Sequence, residues 1–193
     1  MKKVLIVLMV CGMILTFGSF AGAITDVIQS PTSYFIPEGT SVTTSPYYRW
    51  YNEDWGWTHN AIGGSITSAI LGISAWDVDY SSGERDIIYA WENGVSAWVN
   101  LGVLAGNTNI WEYTEFTLGA AFFDDIANGL QVKIDIDSTN SARHWAVTLA
   151  KSVLATDGSG FPDPDPGTSV PEPATMLLLG LGLIGLAGLR RKE

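Results

Sequence analysis

Carboxylate side chains crowd into one short segment of the sequence, residues 77–86. Side chains alternate in direction along a strand, so Asp77 and Asp79 are expected to share one face of a strand end, with Asp86 opening the returning strand. Hard carboxylate oxygens that converge on a turn are the ligands that Ca²⁺ prefers. We therefore predict a calcium site with the ligands Asp77, Asp79, Glu84 and Asp86. The alternative interpretation is a solvated hairpin with an acidic outer face.

A second acidic pair, Asp135 and Asp137, alternates with Ile134 and Ile136. This strict alternation predicts an amphipathic strand that buries both isoleucines and directs both carboxylates outward. If this strand and the acidic hairpin end at one rim of the fold, the two acidic clusters can share one ion.

Aromatic residues form the other unusual concentration, because six of them lie between residues 47 and 57, interleaved with an asparagine and two acids. Flat rings beside amides and carboxylates hold sugar rings through apolar stacking and directional hydrogen bonds. This pattern predicts a carbohydrate-binding surface formed by Trp50, Trp55 and Trp57, and the alternative is that these rings fill the core. The other tryptophans are interpreted as core residues: Trp76, Trp91, Trp98, Trp111 and Trp145.

Catalytic motifs are sparse in this sequence. Four acids are candidates for the paired carboxyl groups of a glycosidase, but their positions fix no separation. They are Glu53, Asp54, Glu112 and Glu115. The two histidines, His59 and His144, lack the spacing of a metal-binding pair, and we interpret them as structural hydrogen-bonding residues. The sequence contains no nucleophile elbow and no phosphate-binding loop, so we predict a protein that is not an enzyme.

These side chains must be positioned by strands, because residues 24–156 contain short β-rich runs with turn signals between them and no convincing helical period. Residues 120–127 are a candidate short helix. Many short strands without a repeat predict an all-β domain, an antiparallel β-sandwich that is jelly-roll-like or immunoglobulin-like. The predicted strands are residues 25–29, 47–51, 65–79 with a bulge near Gly72, 86–91, 97–104, 111–118, 130–137 and 142–154.

The charge of this domain restricts its partners. Residues 24–168 contain five basic and eighteen acidic side chains, which gives a net charge near −13. Such a balance argues against nucleic acid as a partner, because phosphate backbones are bound by Lys and Arg. It is compatible with divalent cations.

The first 23 residues have the pattern of a signal peptide. Two lysines precede an apolar stretch over residues 4–17, and Ala21-Gly22-Ala23 is a cleavage site of small residues. Cleavage there makes Ile24 the first mature residue. Cys11, the one cysteine of the sequence, lies in the removed segment. The mature protein therefore has neither a disulfide nor a cysteine-based metal site.

The C-terminal part of the sequence has a fixed order. Residues 157–169 are rich in Pro, Gly and Asp and are predicted to form an extended linker. The sixteen apolar residues 174–189 predict one transmembrane helix of about 24 Å, close to the thickness of a hydrocarbon core. A triplet precedes this helix: Pro171, Glu172 and Pro173. A basic cluster follows it and is expected to stay in the cytoplasm: Arg190, Arg191 and Lys192.

This order of triplet, apolar helix and basic cluster resembles the PEP-CTERM sorting signal of Gram-negative surface proteins. The resemblance covers residues 170–193 only. It implies export across the inner membrane, membrane attachment through the helix before processing, and recognition by a membrane-embedded exosortase. It also implies a location in the cell envelope, at the cell surface or in the extracellular matrix, with a role in exopolysaccharide or biofilm.

Together these features predict an exported, non-catalytic β-sandwich protein whose partners are an exosortase and an exopolysaccharide, with calcium as the suggested cofactor. The alternative is a secreted carbohydrate-active enzyme, a glycoside hydrolase or lyase, on the same fold. Two carboxyl groups about 5 to 9.5 Å apart in a cleft would favour the enzyme. Aromatic rings on an open surface without such a pair would favour binding.

Overall fold

A computed structural model describes residues 24–137 and 145–158. The predicted signal peptide, His144, the sorting triplet, the basic cluster and the predicted transmembrane helix 174–189 lie outside these ranges. Within them, the structure contains no helix that is both long and apolar enough to cross a membrane.

The described residues form two antiparallel sheets, as a β-sandwich requires, together with one short helix. Helix α1, Phe123–Asn128, follows a 3-10 turn at Ala120–Phe122. The strands in chain order are β1 Ile24–Gln29, β2 Tyr48–Trp50, β3 Trp55–Thr58, β4 Ala69–Trp76, β5 Ile87–Glu92, β6 Ala97–Val103, β7 Trp111–Leu118, β8 Gln131–Asp135 and β9 Ala146–Thr156.

The first sheet has the strand order β1-β9-β4-β7, and β2 also pairs with β9. The second sheet has the order β3-β8-β5-β6. Strand β9 is buried along its whole length, so the C-terminal strand of the domain is the centre of the first sheet. The prediction of a β-sandwich is confirmed.

The core lies between the two sheets and follows from period-two alternation. Leu71 and Ile73 of β4 face Ile88 of β5 and Val132 and Ile134 of β8, and all five side chains are fully buried. Burying one side chain of this size contributes about 1.5–3 kcal/mol. The core therefore fixes which face of each strand is left for solvent, and with it the position of every polar side chain discussed below.

Several strand boundaries differ from the sequence prediction. Strand β3 was not predicted, and the predicted strand 65–79 is shorter, because Asp77 has a φ of 66° and leaves the extended region. The bulge expected near Gly72 occurs as a register shift between Ser74 and Ala75. The helix expected over residues 120–127 is confirmed by the 3-10 turn and α1.

The prediction that Asp135 and Asp137 both point outward is wrong for Asp137, which is fully buried. Strand β8 ends at Asp135, and Asp137 has a φ of 39°, so alternation does not extend to it. Burial of Ile134 and Ile136 is confirmed. A strand pattern predicts side-chain direction only as far as the backbone remains extended.

Candidate functional site

The outer face of the second sheet carries a groove of about 390 Å³ between β3 and β8. Sequence alternation places it there, because Val132 and Ile134 point into the core while Gln131, Lys133 and Asp135 point to the opposite face. The groove is lined by Asp54, Trp55, Gly56, Trp57, Thr58, Trp98, Gln131, Val132, Lys133, Ile134 and Asp135.

Gly56 helps to shape this groove. It pairs with Lys133 across the two strands, and a Cβ atom added at Gly56 would lie 2.9 Å from the carbonyl oxygen of Val132. Any larger residue would therefore push β3 away from β8. The missing side chain leaves the stem of Lys133 uncovered on this side.

A pair of tryptophans forms the aromatic side of the groove. Trp91 and Trp98 are directly paired across β5 and β6, and their rings meet edge to face with centroids 5.6 Å apart. The indole N–H of Trp91 donates to Oδ1 of Asn93 at 2.9 Å, which fixes the ring. Trp98 is 36% exposed, so the interpretation of Trp98 as a core residue is wrong.

Lys133 supplies a positive charge between two aromatic rings. Its Nζ lies 4.9 Å from the ring centroid of Tyr89 and 4.9 Å from that of Trp98. A cation within about 6 Å of a ring face is attracted by the ring quadrupole. The ammonium group is therefore held over the groove with its donors available.

Two carboxylates line the same groove. Oδ1 of Asp54 accepts a hydrogen bond from the backbone N–H of Ile136 at 2.9 Å. Partial burial raises the pKa of Asp54, and the nearby charge of Asp135 raises it further. The groove thus combines flat rings, one cation, two acids and the amide of Gln131, an arrangement suited to hydroxyl-rich ligands.

The structure divides the predicted carbohydrate-binding tryptophans. Trp55 and Trp57 border the groove, but their side chains share the core-facing side of the sheet, because Trp55 pairs with Ile134 and Trp57 pairs with Val132. Their ring centroids lie 6.1 Å apart, and Trp55 is largely buried in the core. Trp50 belongs to the first sheet, where its ring packs edge to face on Tyr48 at 5.4 Å. The sequence prediction did not include Trp98. Its neighbour Val99 is apolar and expected to face the core, and because side chains alternate along a strand, Trp98 is expected to face outward.

The four predicted calcium ligands also divide into two groups. Oδ1 of Asp77 accepts a hydrogen bond from the backbone N–H of Asn109 at 2.8 Å, and the carboxylate of Asp79 accepts one from the hydroxyl of Thr108. Both are satisfied by the loop before β7. Glu84 lies next to Asp79, whose backbone N–H donates to Oε2 of Glu84, but the side chains of Glu84 and Asp86 are buried.

Glu84 and Asp86 are fully buried, so the alternative of a solvated acidic hairpin is wrong for them. Strand β5 pairs with β8 so that Ile87 lies opposite Asp135. Two residues beyond this pair on each segment, the backbone N–H of Arg85 donates to Oδ1 of Asp137 at 3.2 Å. The two predicted acidic clusters therefore do meet at one rim. We call Glu84, Asp86 and Asp137 the carboxylate cluster.

The hydrogen bonding of the carboxylate cluster is incomplete. Both carboxylate oxygens of Asp86 and Oε1 of Glu84 accept no hydrogen bond of ordinary geometry from the residues that the structure describes. Burial raises the pKa of both acids well above their usual range, and repulsion from Asp86 adds to the effect on Glu84. Across residues 24–137 and 145–158, no three His, Cys, Asp or Glu side chains form a ready-made metal site.

A second polar group, the histidine cluster, comprises the buried His59 and Ser152, the half-buried Asp26 and the exposed Asn60. Nδ1 of His59 lies 2.8 Å from Oδ2 of Asp26, and Nε2 lies 2.8 Å from Oγ of Ser152. Asn60 donates to both carboxylate oxygens of Asp26 through its backbone and side-chain nitrogens, each at 2.9 Å.

The order serine, histidine, aspartate has the connectivity of a hydrolase triad. Ser152, however, lies on the central strand β9 with no exposed surface, so a substrate has no approach to its hydroxyl. Burial lowers the pKa of His59 and outweighs the opposing bond to Asp26. Burial alone would raise the pKa of Asp26, but hydrogen bonds from His59 and Asn60 hold it below its usual value. These contacts agree with a structural role for His59.

The remaining glycosidase candidates do not join Asp54. Oε2 of Glu53 accepts a hydrogen bond from the backbone N–H of Trp50 at 2.8 Å and closes the turn before β3. Glu112 and Glu115 lie on β7, in the first sheet. The structure instead pairs Asp54 with Asp135 in the groove.

Comparisons with known proteins identify the tail and leave the domain unassigned. Residues 169–192 match the family model of the PEP-CTERM protein-sorting motif, which confirms the resemblance. No curated protein matches the chain. Among solved structures, a xylan-binding module CBM15 is similar at 13% sequence identity and a TM-score of 0.39, over 71% of this chain and 93% of that chain. The sorting motif indicates an exported protein that an exosortase sorts to the surface of a Gram-negative bacterium.

Proposed function

We propose that the exported domain is a non-catalytic glycan-binding domain that attaches to exopolysaccharide at the cell surface or in the matrix. The observation that carries this proposal is the exposed ring of Trp98, held edge to face by Trp91 beside the ammonium of Lys133. A ring that is exposed yet fixed loses little conformational entropy when a sugar stacks on it.

The polar groups of the groove complement the stacking surface. Lys133 and Gln131 donate hydrogen bonds to sugar hydroxyls, and Asp135 and Asp54 accept them. The groove is open along the sheet face, which suits a chain of sugars rather than one enclosed ring. Because the domain is strongly acidic, a neutral polysaccharide is favoured over an anionic one.

Affinity electrophoresis of the full chain in detergent micelles, through gels containing soluble xylan, glucan or mannan, tests the proposal. At least one neutral glycan should retard the wild-type chain, and Trp98→Ala should weaken retardation at least tenfold in apparent Kd. Trp50→Ala is the matched control, because Trp50 is also exposed, at 43%, but belongs to the other sheet.

The control also decides between two surfaces. If Trp50→Ala abolishes retardation and Trp98→Ala does not, glycan binding belongs to the surface around Trp50, one of the three tryptophans predicted from the sequence. If neither variant differs from wild type on a glycan that binds, the groove is not the binding site.

A second candidate function rests on the two acids in the groove. Asp54, whose pKa is raised, and Asp135, which contributes to that shift, have the pairing of a general acid and a second carboxylate in a glycosidase. Release of reducing ends from the glycan that binds would support it. Loss of that activity in Asp54→Asn, with retardation unchanged, would then assign hydrolysis to the pair.

We further propose that the tail acts as predicted from the sequence, with the helix 174–189 in the inner membrane and the exosortase acting at the triplet. Replacing Pro171, Glu172 and Pro173 by alanine should leave the chain in the membrane fraction of an exosortase-containing host. Intact-mass measurement of the surface-released form should show neither Met1 nor the basic tail.

A further inference from the structure

Two acids with unsatisfied oxygens lie side by side inside the domain, at the rim where β5 begins. Glu84 and Asp86 are each 0% exposed. Three of their four carboxylate oxygens accept no hydrogen bond of ordinary geometry from the described residues, and the groups beside Asp86 include the carboxyl of Glu84 and the backbone N–H of Asp137. A buried carboxylate without well-placed donors or a counter-charge is strongly disfavoured. A proton or a cation beside the pair would remove this cost.

The described elements around the pair supply further negative charge. Asp137, beyond β8, adds to the repulsion at Asp86, as does Asp135, and Asp79 adds to it at Glu84. Among the described basic residues, Arg85 is nearest in sequence. Its guanidinium donates to the backbone carbonyl of Tyr80 at 2.8 Å and lies 4.1 Å from the centroid of the Tyr80 ring.

An ion pair among the described residues joins His59 and Asp26, in the other cluster. A metal cation from solution, or a proton shared between the two acids, would supply positive charge to Glu84 and Asp86. Hard carboxylate oxygens favour Ca²⁺, which takes six to eight oxygen ligands and readily completes its shell with backbone carbonyls and water. Two side chains are therefore sufficient as anchors.

We propose that Glu84 and Asp86 bind a hard divalent cation of the calcium class at the rim between β5 and β8. This assignment differs from the sequence prediction, because Asp77 and Asp79 are satisfied by the loop at residues 108–109 and are not anchors. Asp137 lies beside the anchors and adds charge without being required as a ligand.

The proposal is independent of glycan binding, but the two sites are joined by β8. Asp135 lines the groove, and Asp54 in the groove accepts a hydrogen bond from Ile136, the residue before Asp137. A cation at the rim would hold this strand end in place. The test therefore uses the metal alone, so failure of glycan binding leaves its result unaffected.

Thermal unfolding of the full chain in detergent micelles, with CaCl₂, MgCl₂ or EDTA, tests the proposal. At a Ca²⁺ concentration one hundred times Kd, the ratio of folded to unfolded chain should rise about 100-fold over EDTA. Asp86→Asn and Glu84→Gln should each abolish this rise. In EDTA both variants should melt at or above the wild-type temperature, because each removes a buried acid whose ionised form burial disfavours.

Two controls make the outcome decisive. Glu115→Gln, which removes an equal charge from an exposed position, and Asp77→Asn should both keep the full calcium response. The proposal is overturned if Ca²⁺ leaves the wild-type melting curve unchanged, or if Asp86→Asn retains the response. A wild-type protein that ignores Ca²⁺ but gains stability as the pH falls from 8 to 5 would show that the acids share a proton instead.

Discussion

The histidine cluster and the carboxylate cluster both contain buried polar side chains in one sandwich, but only the first has its hydrogen bonds completed by protein groups. In the histidine cluster, His59 bridges Asp26 and Ser152, and Asn60 supplies the remaining donors to the acid. In the carboxylate cluster, acids face acids. Burial of polar groups is tolerated in the first case by matched donors and acceptors.

The two clusters differ in whether the protein itself provides hydrogen-bond partners for their polar groups. A hydrogen-bond network such as that of His59, in which donors and acceptors are matched, rigidifies the fold and requires no ion from solution. In Glu84 and Asp86, three carboxylate oxygens accept no hydrogen bond of ordinary geometry from the described residues. The stability of the fold around them therefore depends on the protons and cations that the solution supplies. Substitutions in the histidine cluster should therefore lower the free energy of unfolding, and substitutions in the carboxylate cluster should raise it.

The largest effect is expected from His59→Ala. It removes both hydrogen bonds of a fully buried ring and leaves Asp26 without its hydrogen-bond partner at Oδ2, so the free energy of unfolding should fall by about 3 kcal/mol. Urea unfolding of the full chain at pH 7 measures this. A loss below about 1 kcal/mol would mean that the histidine cluster is no more closed than the carboxylate cluster.

Asp86→Asn, measured in EDTA, should have the opposite sign. Burial raises the pKa of Asp86 to about 7, so replacing this disfavoured acid by an amide should raise the free energy of unfolding by about 1.5 kcal/mol. The same urea titration measures it, with Glu115→Gln expected to change stability by less than about 0.5 kcal/mol. Destabilisation by Asp86→Asn in EDTA would show that the carboxylate has protein donors after all.

The pH dependence of the histidine cluster follows from the lowered pKa of His59. The unfolded chain takes up a proton near pH 6.5 and the folded chain only at lower pH, so the unfolded state binds more protons in this window. Stability should therefore be complete above about pH 6.5 and fall below it by at most about 1.4 kcal/mol per pH unit. Asp26, whose pKa is also lowered, adds a further loss below about pH 4.

His59→Gln tests this assignment, because glutamine does not titrate. The difference in stability between wild type and His59→Gln should shrink as the pH falls from 7 to 5, as urea unfolding at each pH would show. A constant difference over that range would assign the acid sensitivity to other groups.

The smallest effect is expected from Ser152→Ala. The hydroxyl donates or accepts one bond to Nε2 of His59 at 2.8 Å, so its loss should cost about 1 kcal/mol. The neutral imidazole keeps its bond to Asp26. If Ser152→Ala costs as much as His59→Ala, the two residues act as one unit, which a double variant would show as strong non-additivity.

Much of the fold could be predicted because its signals are local. The alternation of Val132 and Ile134 with polar neighbours predicted β8, and turn residues separated most of the strands. Strand β3 was missed because it has four residues with Gly56 in the middle, and it exists through its pairing with β8. No local pattern reports such a partner.

The candidate site was predictable only in part. Glycan binding by Trp55 and Trp57 stays a prediction, and their pairing with Ile134 and Val132 turns their rings toward the core. Trp50 was grouped with them on sequence proximity alone, and it belongs to the other sheet. The outward direction of Trp98 follows from its alternation with Val99, but its place beside Lys133 depends on the pairing of β5 with both β6 and β8. Sequence spacing cannot report which strands are neighbours.

The sequence by itself determined the composition and periodicity of an acidic β domain without cysteine, and the PEP-CTERM sorting motif that follows it. These properties depend on composition, periodicity and a contiguous motif, which are local features of the chain. Tertiary structure alone decided that Asp137 turns inward and that Glu84 and Asp86 are buried together. The reason is physical, because burial of a carboxylate depends on which strand ends meet, and antiparallel pairing joins residues about fifty positions apart.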